Sequence, residues 1–167
     1  SIILRSGVLM FREANNATSA MLDAASILIL DEGYEFLSSC NEFEVSSFLL
    51  AYAMARRFNQ EIFASLTDQM AEDDILESCT PSSASRAMWS CAMLLSQDEN
   101  GSGLRTAGTA MNTYKLIDLF HQLAPLLLTS SLSPTSISGA MWAMAKSGYV
   151  VDRGVFDYLA QTISSDG

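Results

Sequence analysis

Basic residues are scarce in this chain. Lysine and arginine together number 9 among 167 residues, against 19 aspartates and glutamates, giving a formal charge of −10. Phosphate neutralisation by basic side chains supplies most non-specific affinity for nucleic acid. The balance therefore opposes tight RNA or DNA binding by the chain as a whole and leaves room only for a local basic stripe. Histidine occurs once, at His121, with no nucleophile that the sequence pairs with it, and no GxxxxGK or GxGxxG phosphate loop is present. The chain is accordingly expected not to be an enzyme and to carry no cofactor, metal or small-molecule substrate. Cysteines number three, at Cys40, Cys79 and Cys91, without a CxxC pair. An odd, scattered set makes neither a disulfide framework nor a zinc site. No apolar run reaches the roughly 18 to 20 residues of a membrane-spanning helix, the longest candidates being Ala24 to Leu30 and Ala124 to Leu128. Strand signals are nearly absent, while hydrophobic residues make up 49% of the chain and supply ample core.

What the sequence does contain is helix grammar, clearest between Ser133 and Ile163. A serine followed by proline starts a helix, because the hydroxyl caps free N–H groups and proline takes the first helical position, where no N–H is needed. From Ile137 the apolar residues Ala140, Met141, Met144 and Ala145 recur with Trp142 at helical intervals, until Ser147-Gly148 offers a left-handed exit. Beyond Arg153, Phe156, Leu159, Ala160 and Ile163 follow the i, i+3, i+4, i+7 rule of an amphipathic helix. The pair is expected to pack as an antiparallel hairpin.

The same marks recur upstream. Thr80-Pro81 parallels Ser133-Pro134, and each proline precedes a tryptophan by eight residues. Taking Tyr52, Trp89 and Trp142 as equivalent, serine stands six before each (Ser46, Ser83, Ser136) and alanine three after (Ala55, Ala92, Ala145). The second helices repeat as Phe63-Leu66-Met70, Phe120-Leu123-Leu127 and Phe156-Leu159-Ile163. Tyr52 and Trp89 are 37 residues apart, Trp89 and Trp142 53, the excess falling in a Gly-, Ser- and Asn-containing stretch read as an exposed loop insertion at 96–112. Internal periods of this size signal an all-α solenoid of stacked antiparallel helix pairs, with a period of about 36 to 37 residues.

Four units follow, at about 1–40, 41–79, 80–131 and 132–167. Residues 1–14 read as the end of a first helix, Gly33 bends or divides the next, Glu72, Asp73, Asp74 and Glu77 read as a solvated acidic turn, and Pro125 shortens its helix. The chain is expected to be a piece of a longer array.

The stretch LSPTSISGAMWAMAKSGY resembles the octotricopeptide repeat family and, more loosely, the helical regions of RAP-domain and FAST-kinase-like proteins. The resemblance is carried by Ser133-Pro134, Trp142-Ala143-Met144-Ala145-Lys146 and Gly148-Tyr149, in part by Pro81 and Trp89, and by Tyr52-Ala53-Met54-Ala55-Arg56. It implies a helical-repeat protein binding single-stranded RNA in a mitochondrion or chloroplast, acting in transcript maturation, stability or translation. The sequence departs where the family often has asparagine three residues before the tryptophan, holding Leu49, Arg86 and Gly139 instead.

Arg56 and Lys146 stand four residues after their aromatics, with Met93 breaking the series between them, and recurrent cations on first helices form a candidate phosphate ladder that Arg57, Arg86 and Arg153 would extend. The alternative is a cation favoured near a helix C-terminus by the macrodipole. Tyr52, Trp89 and Trp142, with Phe63, Phe120 and Phe156, are read as repeat core, base stacking being the alternative for the first three; as core, Trp142→Ala should cost about 3 to 5 kcal/mol. The competing function is an acidic protein-binding scaffold of HEAT or armadillo type that recruits a basic partner.

Overall fold

Prolines and caps place the helix starts where the sequence puts them. The computed structural model describes residues 15–31, 33–101, 107–128, 132–147 and 153–165. Among these the backbone is helical throughout apart from short connections, with no strand. In chain order the helices are α1 (Asn15–Asp31), α2 (Gly33–Ser38), α3 (Glu42–Ala55), α4 (Gln60–Met70), α5 (Asp73–Ser78), α6 (Pro81–Gly101), α7 (Ala107–Leu123), a 3₁₀ segment Ala124–Leu128, α8 (Pro134–Ser147) and α9 (Arg153–Ser165). The readings of residues 1–14 and of the Gly148-Tyr149 turn lie outside the described residues.

Three helices begin alike. The Ser133 hydroxyl accepts from the Ser136 N–H at 3.2 Å, Thr80 Oγ1 accepts from the Ser83 N–H at 3.2 Å, and Asn41 Oδ1 accepts from the Glu44 N–H at 3.0 Å. In α3 the Glu44 carboxylate accepts in return from the Asn41 N–H at 3.1 Å, closing a capping box. A buried residue precedes each cap (Cys40, Cys79, Leu132), and another lies four residues after it (Val45, Ala84, Ile137), the spacing of a hydrophobic staple. This staple is a repeat mark that the serine and tryptophan spacing does not reveal.

Two sequence expectations need correction. The stretch 96–112 is not simply a loop: α6 continues to Gly101 and α7 is already helical at Ala107. Gln97, Asp98 and Glu99 do not break a helix that already contains Leu94 and Leu95; the breakers are concentrated further on. The acidic stretch after Ala71 is likewise the short helix α5, anchored by buried Ile75, with Glu72, Asp73 and Asp74 at its exposed start and Glu77 exposed near its end. At Pro125 the helix α7 has given way to the 3₁₀ segment Ala124–Leu128.

The contacts run in two series. First helices α3, α6 and α8 pack side by side, while α1 meets α4, α4 meets α7, and α7 joins α9 through the 3₁₀ segment. Between them lies one continuous core that includes Leu22, Leu49, Leu66, Met88, Phe120 and Leu159.

All three cysteines are buried and unpaired. Burial pushes the Cys79 thiol up to about 11 from an ordinary 9.0, with Glu42 adding to the effect, and raises Cys40 and Cys91 as well. The folded chain therefore holds these protons more tightly than the unfolded chain. The stability they contribute is complete below pH 9.0 and declines as pH rises toward about 11. A thermal-unfolding series is expected to show the midpoint falling over that interval, and falling less steeply in Cys79→Ala; equal slopes would contradict the assignment.

Candidate functional site

The first helices α3, α6 and α8 form a continuous row in mutual register. Near its start, α6 touches the start of α3: Arg86 Nη1 donates to Ser46 Oγ at 3.3 Å and to Ser47 Oγ at 3.2 Å. It also touches the start of α8, where Ser85 Oγ donates to the Ser136 carbonyl at 2.7 Å. Further along, the Trp89 and Trp142 rings meet with centroids 6.4 Å apart and planes tilted by 43°. Starts against starts and centres against centres mean that α3, α6 and α8 run parallel and in register. Positions equivalent by the repeat therefore recur across neighbouring helices.

The candidate cations divide sharply on this frame. Arg56 is exposed at the C-terminal end of α3 and occupies a left-handed conformation (φ 53°), where glycine is the usual residue. A side chain there costs about 1 to 2 kcal/mol, offset in part by the favourable placing of a cation at a helix C-terminus. Lys146 is exposed in the last turn of α8. Arg57, next in the chain after Arg56, is exposed as well.

Arg57 and Arg86 are occupied by the chain itself. Arg57 reaches α1, where it pairs with Asp23 at 2.5 Å and donates to the Ser19 carbonyl at 3.4 Å. The Arg86 guanidinium stacks over the Phe43 ring, 4.6 Å from its centroid, while holding both α3 serines. Burial pulls its pKa below the ordinary value, and the Glu42 carboxylate opposes that. Arg86 is thus a tie between α3 and α6, not a rung of an outward ladder. Lys115, which the sequence did not single out, makes a similar tie between α7 and α4 through Asp68 at 2.8 and 2.9 Å. For Arg153 only the backbone is described, as the first residue of α9.

The aromatic positions also diverge. Tyr52 is buried, its hydroxyl bonded to Ser26 Oγ at 2.7 Å and to the Leu22 carbonyl at 3.2 Å. Phe63 and Phe120 are buried and Trp89 is partly covered. Trp142 and Phe156, by contrast, are each 39% exposed. This corrects the reading of those two as core: what covers Trp89 is α8, and no described helix does the same for Trp142. Its truncation leaves no enclosed cavity, so the expected cost falls below the about 3 to 5 kcal/mol of a core residue.

Ser136 shares a 2.9 Å hydrogen bond with Ser133, and Ser83 accepts one from Thr80 at 3.0 Å, so both belong to helix starts. Ser46 is buried and donates to the Phe43 carbonyl. His121 is exposed on α7. Among the described residues no group of His, Cys, Asp or Glu is placed to hold a metal, and no helix is long and apolar enough to cross a membrane.

No protein-family model, curated protein or solved structure matches the chain.

Proposed function

We propose that the chain is a segment of an α-solenoid that binds single-stranded RNA, with Arg56 and Lys146 contacting phosphates along the row of first helices. The observation that supports this reading is the side-by-side packing of α3, α6 and α8, the outer two of which carry Arg56 and Lys146 at the same repeat position, with Met93 at that position of α6. The left-handed Arg56 adds support, because a glycine would satisfy the same turn without strain. The organellar setting and a role in transcript maturation, stability or translation rest on the resemblance of 132–149 to octotricopeptide repeats. Reversing both charges, Arg56→Glu with Lys146→Glu, should abolish RNA binding while changing stability by no more than about 1 kcal/mol. Undiminished binding by the double variant would sink the phosphate ladder.

A second reading, an acidic scaffold for a basic protein, is favoured by a specific observation. Arg57, Arg86 and Lys115 are engaged within the chain, while Glu72, Asp73, Asp74 and Glu77 are exposed together around α5. Competition between a single-stranded RNA pool and a lysine-rich peptide separates the two functions.

A further inference from the structure

Seen from α6, the packing of α8 has two parts, backed by a buried ring. Ser85 donates across to the Ser136 carbonyl, the Trp89 ring lies against the α8 backbone at Gly139, and the second helix behind α6 carries a fully buried phenylalanine, Phe120. A Cβ built at Gly139 would lie in van der Waals contact with the indole, 3.4 Å from Cδ1, so a bulky side chain extending toward the ring would press on it. A small residue at this position suits the close approach of the two helices. The preceding junction is built differently: the position of Gly139 is held there by Arg86, which turns aside onto Phe43, and Tyr52 is engaged by α1.

The last unit carries the same three residue types at the same repeat positions, now turned to solvent. Ser138 takes the place of Ser85, Trp142 that of Trp89 and Phe156 that of Phe120; all three are exposed, the two aromatics at 39% each. Ser85 and Trp89 meet α8 of the neighbouring unit, and Phe120 is enclosed in the core. We infer that the face presented by Ser138, Trp142 and Phe156 is a docking surface for a further helix pair of the same build. The first helix of that pair carries a small residue six positions after its cap, as Gly139 follows Ser133. Continuity with the α6–α8 interface identifies the occupant: a seryl donor needs an N-terminal-turn carbonyl at that height, and an uncovered indole needs a helix without a bulky side chain opposite it. The inference rests on the stacked-repeat part of the proposed function and is independent of RNA.

The two tryptophans of the chain allow a direct test. The full chain with Trp89→Phe leaves Trp142 as its only indole reporter. To this chain a second copy of residues 132–167 is fused after Gly167, with the tryptophan of the copy also changed to phenylalanine. Docking shifts the Trp142 emission to shorter wavelength and raises the unfolding midpoint within a single transition. A copy bearing leucine in place of its glycine should give neither effect. Unchanged emission, or a second unit that melts separately, overturns the inference. The control is Gly139→Leu in the unextended chain. If it lowers the midpoint while the fusion shows no shift, the docking surface alone is wrong; if it is neutral, the stacked-helix reading falls as well.

Discussion

Replacing Phe120 by alanine lowers the stability of the fold by about 3 to 5 kcal/mol, the cost of deleting a large, fully enclosed side chain that its surroundings cannot close over. Phe120 has no exposed surface and sits in α7, within the core that joins the first helices to the second helices. At this chain length each kcal/mol lowers the thermal midpoint by roughly 2 to 4 °C, so the variant should melt well below the parent. The comparison with its repeat equivalents is the sharper part of the prediction. Phe63→Ala should cost a similar amount, because Phe63 is only 3% exposed, while Phe156→Ala should cost clearly less, because that ring is 39% exposed. Equal losses at the three sites would mean that the burial pattern of the units is wrong.

Arg86→Glu is expected to cost about 1.5 to 3 kcal/mol in the absence of any ligand, the range for losing hydrogen bonds to a charged group. The substitution removes the donors to Ser46 and Ser47, removes the cation over Phe43, and sets a carboxylate near Glu42. Arg86→Met retains much of the side-chain volume between α3 and α6 and should cost less. Urea unfolding of the two variants beside the parent gives the answer. A solvent-facing phosphate contact would show no stability loss in either variant, and that result would return Arg86 to the basic stripe. A loss of RNA binding in Arg86→Glu, by contrast, reports loosened helix packing as much as a missing contact, which is why Arg56 and Lys146 carry the functional test.

The helix starts were legible because they depend on adjacent residues. Ser133-Pro134 and Thr80-Pro81 determine their own caps, and Trp89 and Trp142 share a register because each follows its proline by eight residues. The fate of the arginines was not legible. Arg86 turns inward because Phe43, Ser46 and Ser47 await it on α3, about forty residues earlier in the chain, and nothing near Arg86 announces them. Arg57 and Lys115 likewise find their acids, Asp23 and Asp68, on neighbouring units. Composition misled at 96–112, where glycine and serine near 101–103 suggested a longer loop than the helical residues on either side allow. Trp142 differs from Trp89 for a reason outside its own helix, namely whether another helix lies over it.

The measurement closest to the central claim is the binding of the 167-residue chain to a labelled pool of single-stranded RNA, followed by anisotropy over a range of salt concentrations. A phosphate-tracking row predicts saturable binding whose logarithm falls linearly with the logarithm of salt, with a slope of about −0.7 for each phosphate neutralised on a single strand. Reversing Arg56 and Lys146 should remove that binding. Absence of saturable binding at low salt, together with saturable binding of a lysine-rich peptide under the same conditions, would contradict the RNA reading and establish the acidic surface as the working face.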